Sequence, residues 1–119
     1  ATARLLDAHP EVDGLVCVSD MLAVGALQEI RARGRRVPEE VQVIGFDDQP
    51  MMDVVGLSTI RQPMAEFGAW AARTISALIQ RTGEQVRADK TIVSVQLPFE
   101  LVVRATSRAS NGGPVLCPL

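Results

Sequence analysis

The chain has 119 residues, enough for about one domain, and 47% of them are apolar, so a true core is available and disorder is disfavoured. Only 3% are aromatic, none is Tyr, and the formal net charge is -2, with Lys and Arg scattered along the chain. That excludes a stacking platform for single-stranded nucleic acid and a basic footprint for duplex DNA within this segment.

Thr2 to His9 reads as the end of a helix, stopped before Pro10, so the natural N-terminus is expected upstream. Val12 to Val18 is a short valine-rich run of the kind a parallel strand buried on both faces presents. Ser19 and Asp20 follow it and open a helix that extends to Arg33, with Gly34 just beyond its end. Pro38 marks a turn, and Val41 to Phe46 is a second buried-type strand that ends at Asp47 and Asp48. Strand, helix and strand within about 35 residues imply a βαβ unit with parallel strands. Gln49 to Gly56 is a loop with room for one helical turn, and Leu57 to Arg61 is extended. Pro63 suits the first position of a helix expected to reach Thr82, with Met64, Phe67, Ala71, Ile75 and Leu78 on one stripe. After a polar loop from Gly83 to Lys90, strands are expected at Thr91–Leu97 and Phe99–Arg104, separated by Pro98. The remainder, from Ser107 on, reads as a tail.

In an open α/β sheet, ligands bind beyond the carboxyl ends of the strands. Two consecutive strands end there in polar residues, Ser19-Asp20 and Asp47-Asp48. An ionised carboxylate accepts hydrogen bonds at both oxygens and can grip adjacent hydroxyls of a sugar. Against this stands a structural reading. Ser19 and Asp20 are favoured helix-capping types, and Asp is a favoured turn residue.

The helix after Asp20 carries two apolar faces. Ala23, Ala26, Leu27 and Ile30 suit a sheet. Met21, Val24, Gly25 and Gln28 lie nearly opposite and need another partner. Met51, Met52, Val54 and Val55 add loop hydrophobes that can widen such a patch, or pack within the chain.

Catalysis finds little support. The lone His9 ends a helix, no Gly-x-Ser-x-Gly elbow or Gly-rich phosphate loop occurs, and no His or Cys spacing suggests a metal. The two cysteines, Cys17 and Cys117, form no disulfide framework, which suits a reducing cytoplasm. No apolar run approaches the roughly 20 residues of a membrane-spanning helix.

Three segments in order, VCVSDMLAVGALQEIRARGRRVPEEVQVIGFDD, LSTIRQP and LPFELVVRATS, resemble the C-terminal third of the lactose/galactose-repressor family of bacterial regulators, over roughly residues 2 to 108. The resemblance implies an α/β fold of periplasmic-binding-protein-like type: a doubly wound parallel sheet and part of a two-lobed effector domain. Residues 1–60 with 99–108 would form the C-terminal lobe, 61–98 part of the N-terminal lobe with a crossover, and 109–119 a flexible tail. A DNA-binding helix-turn-helix domain, absent from this chain, would precede them.

By that resemblance, Asp47 hydrogen-bonds the effector and Asp48 has a more structural role. Ser19 stands where many relatives carry an effector-touching Asn, and Asp20 lies beside it. The helix face of Met21, Val24, Gly25 and Gln28, with Met51, Met52 and Val55, would form a homodimer. The implied protein is a cytoplasmic regulator, not an enzyme, with no cofactor and no membrane contact. Its partners would be a small-molecule effector (a sugar or derivative), a second subunit, and operator DNA through the absent domain. The alternative is a periplasmic solute-binding protein of the same fold.

Overall fold

In the computed structural model the described residues are 1–80 and 94–108. The elements are α1 (Thr2–Ala8), β1 (Gly14–Val16), α2 (Asp20–Ala32), β2 (Gln42–Phe46), α3 (Met52–Val55), β3 (Ser58–Arg61), α4 (Met64–Ile79) and β4 (Glu100–Val102). The chain divides into two compact units, Ala1–Arg61 joined by the chain from Glu100 on, and Gln62–Phe99.

The first unit is built on a four-stranded sheet in the order β1-β2-β3-β4. β1, β2 and β3 are parallel, with Leu15 opposite Val43 and Phe46 opposite Ile60; β4 returns antiparallel, with Arg61 opposite Glu100. Helix α2 links the first two strands, as the strand-helix-strand pattern predicts. It opens with Ser19 as N-cap, its Oγ accepting the Leu22 N–H, and with Asp20 in the first turn, where a carboxylate meets the positive end of the helix dipole. It closes at Gly34, whose φ of 73° needs no Cβ. There the Arg35 N–H reaches the Ile30 carbonyl and the Gly34 N–H reaches that of Arg31.

Ala23, Ala26, Leu27 and Ile30 are all buried, as their three- and four-residue spacing demands. Ala23, Leu27 and Ile30 pack with Leu6 of α1, Val41 and Val43 ahead of and within β2, Met52 of α3 and Leu57 into one core, flanked by Leu15, Cys17 and Val24. Arg33 fastens α1 to α2 through Asp7 (2.7 Å), Glu29 (2.6 Å) and the Ala3 carbonyl. The segment after β4 locks the lower ends of β2 and β3. Thr106 Oγ1 donates to the Val43 carbonyl and accepts the Ser58 N–H, while the Ser107 hydroxyl donates to Ser58 Oγ.

Several boundaries differ from the sequence expectation. β1 is only three residues long and is buried on one face. Leu15 and Cys17 turn to the core, whereas Val16 is 73% and Val18 81% exposed. The helices of this unit lie on the core side only, so alternate side chains of β1 have no cover among the described residues. β4 is shorter than Phe99–Arg104, and Ser94–Leu97 carries no strand; the start of that expected strand, the Gly83–Lys90 loop and the 109–119 tail lie outside the described residues.

In the second unit, α4 ends at Ile79, ahead of the expected Thr82, and none of its residues is buried. Phe67 and Trp70, one turn apart, pair with ring centroids 6.1 Å apart.

Candidate functional site

Among the described residues, every non-glycine residue of positive φ lies just after β2. Asp47 (φ 108°), Asp48 (φ 53°) and Met51 (φ 81°) all lie in the left-handed region. A residue with a Cβ pays for that conformation, which persists only where the surroundings over-determine it. Here three successive N–H groups are captured. Asp47 donates to the Ile60 carbonyl (2.9 Å), Asp48 to Thr59 Oγ1 (3.3 Å), and Gln49 to Asp20 Oδ2 (2.7 Å).

Beneath the turn, the Thr59 hydroxyl donates to Asp20 Oδ1 at 2.5 Å. Both residues are 0% exposed, so each carboxylate oxygen of Asp20 takes a hydrogen bond in place of water. Asp20 is therefore corrected from an effector-facing group to a foundation: it ties the first turn of α2 to β3 and to the loop after β2. Gly45 makes the arrangement possible. A Cβ there would collide with Asp20 Oδ1 and lie 2.9 Å from Leu57 Cδ2.

Asp48 is held from the other side. Its side chain is 10% exposed, with Oδ2 2.7 Å from Arg61 Nε and Oδ1 2.8 Å from an Arg104 guanidinium nitrogen. Arg104 also donates to the Leu57 carbonyl (2.8 Å), and Arg61 reaches Glu100 (3.1 Å). Burial pushes the Asp48 carboxyl up, but hydrogen bonds from Arg104 and Arg61 outweigh it and hold it below the ordinary carboxylate value. Both oxygens of Asp48 are thus engaged within the chain.

Asp47 is exposed at the carboxyl end of the second of three parallel strands. Ser19 is half-buried, and its hydroxyl faces the Leu22 N–H at 3.4 Å, a capping contact.

The expected interface residues separate into two groups. Met21 (63%) and Met51 (63%) are well exposed, Val55 is at 36%, and Gly25 and Gln28 are also exposed. Met52 is corrected: at 5% exposure it belongs to the core of its own unit, because α3 folds that side chain into the cluster that includes Leu57. Val24 is half-buried against the same core, at the border of the exposed face.

Sequence reading missed Thr59, Arg61, Arg104 and Thr106. For Thr59, Arg61 and Arg104 the available signal was a polar side chain inside a segment that reads as strand and needs a partner where it is covered; Thr106 lies beyond the expected strand and carried no such signal. Among the described residues no group of three His, Cys, Asp or Glu side chains is placed to hold a metal, and no helix is long and apolar enough to cross a membrane.

A family model described as a periplasmic binding protein-like domain matches residues 1–107. The chain is similar to the ribose operon repressor of Halalkalibacterium halodurans, 33% identical over 112 residues, covering 92% of this chain and 32% of that protein. Among solved structures it is similar to the transcriptional regulator CelR in complex with cellobiose (32% identity, TM-score 0.74, 89% of this chain and 31% of that one). It is also similar to a LacI-family regulator from Enterococcus faecium with bound ribose (29% identity, TM-score 0.66, 89% and 38%). The chain thus spans about a third of the length of these relatives. With a match along nearly its whole length, the chain belongs to the periplasmic-binding-protein-like domain family and, within it, to the lactose/galactose-repressor regulators.

Proposed function

We propose that this chain is the effector-sensing and dimerisation part of a bacterial, cytoplasmic, DNA-binding transcription regulator, with no catalytic role of its own. The observation that carries the reading is the Asp47 turn. It presents an exposed carboxylate beyond the end of a central parallel strand, in a left-handed conformation held by hydrogen bonds to β3 and to Asp20. An exposed carboxylate carried on a backbone so fixed can accept hydroxyl donors, which suits a sugar or a related polyol. Two similar regulators are described with cellobiose and with ribose, which favours this class of effector and favours a regulator over a transport protein.

In this reading the unit Ala1–Arg61 with the chain from Glu100 on is the C-terminal lobe, and Gln62–Phe99 is a share of the N-terminal lobe. The exposed face of Met21, Gly25 and Gln28, with Met51 and Val55, meets its copy across a two-fold axis. Operator DNA is contacted by a domain outside the matched third. The effector acts by population shift: it binds one lobe arrangement better and so biases DNA affinity, with a coupling of about 1–3 kcal/mol.

The test is calorimetry of the full-length protein with ribose and cellobiose. Asp47→Ala removes a charge-assisted acceptor and is expected to weaken binding of the sugar that binds by about 1.5–3 kcal/mol, roughly tenfold or more. Ser19→Ala, which removes a cap, is expected to change it much less. Normal sugar affinity in a folded Asp47→Ala protein would remove the site from consideration.

A further inference from the structure

The ion network around Asp48 has a position that capping and core packing do not explain. Arg61 is the last residue of the first unit before the chain leaves it, and Glu100 is the first residue on its return. The two are paired in the β3–β4 register and by a 3.1 Å ion pair. The same Arg61 guanidinium reaches back 2.7 Å to Asp48, the neighbour of Asp47. One side chain therefore joins the turn that presents Asp47 to both places where the chain crosses out of the unit. The link is short, through an Arg61 side chain that is 49% exposed. Asp47 N–H is bonded to the Ile60 carbonyl, one residue before Arg61, and Asp48 is held on its other oxygen by Arg104.

We infer that Arg61 is a positioning residue that couples the state of the Asp47–Asp48 turn to the geometry of the two chain crossings. The inference rests on the effector-sensing reading above. When a ligand fixes Asp47, Asp48 is fixed with it. Through Arg61 the exit of β3 and the entry of β4 are then held in one relative setting. Without the guanidinium the turn retains its Arg104 contact and its backbone anchors, so a sugar still finds Asp47. What is lost is transmission.

The experiment compares full-length protein with Arg61→Gln and Arg61→Lys variants. Two quantities are read: sugar affinity by calorimetry, and the ratio of operator affinities without and with the sugar, ribose or cellobiose, that binds. Arg61→Gln is expected to bind the sugar within about threefold of the parent, while the operator ratio falls by about fivefold or more, the lower end of ordinary allosteric couplings. Arg61→Lys keeps the charge and should retain most of the ratio. A ratio unchanged in Arg61→Gln overturns the inference, and so does a ratio that falls only in step with sugar affinity. A readout independent of any sugar separates this from failure of the effector reading. Amide hydrogen exchange at Asp47 is expected to quicken by about tenfold in Arg61→Gln, since the Asp48 carboxylate loses one of its two guanidinium partners. If neither sugar binds the parent protein, the effector reading fails by itself. The exchange measurement then still decides the link between the turn and the crossings, and an unchanged Asp47 rate counts against it.

Discussion

The two units of the chain hold helices of similar promise and give them opposite fates. Helix α2 buries Ala23, Ala26, Leu27 and Ile30 completely or nearly so, because β1, β2 and β3 supply a sheet from within 45 residues of its ends. Helix α4 carries a longer apolar stripe, yet Met64 is 63%, Ile75 56% and Leu78 41% exposed, and no residue of it is buried. Amphipathic spacing states which face of a helix needs cover. Only the pairing of other segments provides it, and about 25 cal/mol per Å² of apolar surface depends on that provision. The apolar surface of the two units should accordingly answer differently to the same perturbation.

The sharpest contrast is expected from a charge placed on each helix in the full-length protein. Met21 stands on the exposed face proposed for the dimer, away from the buried stripe of α2. In Met21→Asp the subunit core is untouched, but a carboxylate and its symmetry mate would be buried together, at several kcal/mol. Sedimentation should show monomers that still unfold cooperatively, with the midpoint lowered only by the lost association and no longer dependent on protein concentration. Ile75→Asp, on the stripe that the lobe assignment turns toward a sheet, should instead lower the midpoint and leave any surviving fold dimeric. A dimeric Met21→Asp protein would end the interface proposal, and an unaffected midpoint in Ile75→Asp would end the lobe assignment.

A smaller effect separates two glycines. Gly45 has no room for a Cβ because Asp20 and Leu57 occupy the space, whereas nothing lies within 4 Å of a Cβ built on Gly68 of α4. Gly45→Ala should destabilise the first unit by about 1–3 kcal/mol through overpacking. Gly68→Ala should stabilise α4 by about 0.5–1 kcal/mol, the ordinary gain of Ala over Gly in a helix interior. Amide exchange of β2 and of α4 reads the two separately. Equal effects of like sign would show that Gly45 is not the seat on which Asp20 rests.

These contrasts mark how far the sequence alone is legible. The α/β class, the strand-helix-strand unit and the buried stripe of α2 follow from periodicity, because each is a local pattern with a strong apolar signal. The resemblance extends this to the family, which the match over residues 1–107 bears out. The role of Asp20 is not legible in this way. Its neighbours Thr59 and Gln49 lie 39 and 29 residues away, and nothing local distinguishes a carboxylate that caps from one that underpins a loop. Met52 fails for the same reason: next to exposed Met51, only the one-turn helix α3 decides which methionine goes inward. The partners of Asp48 are no more local, since Arg61 and Arg104 lie 13 and 56 residues away and approach it only after β3 and the chain beyond β4 have come together.

The smallest expected effect concerns acid. Burial pushes the Asp48 carboxyl up, and Arg104 and Arg61 more than offset this, so its folded value lies below the ordinary 3.8. A carboxyl with a depressed folded value stabilises the folded state in its ionised form. That contribution is complete above the unfolded value near 3.8, and it is lost as the pH falls through the lower folded value. Asp48→Asn keeps the shape of the side chain and removes the charge. The gap in urea midpoint between parent and variant should be constant from about pH 7 to about pH 5, and should close below about pH 4. Asp7 and Glu40 are also held low, by Arg33 and Arg36, and acid costs both proteins those contributions equally, so they cancel in the gap. A gap that persists undiminished to pH 3 would mean that the Asn side chain disturbs packing. No gap at pH 7 would mean that the two arginines hold the turn no better than a neutral side chain does, and the anchoring role of Asp48 would fall with it.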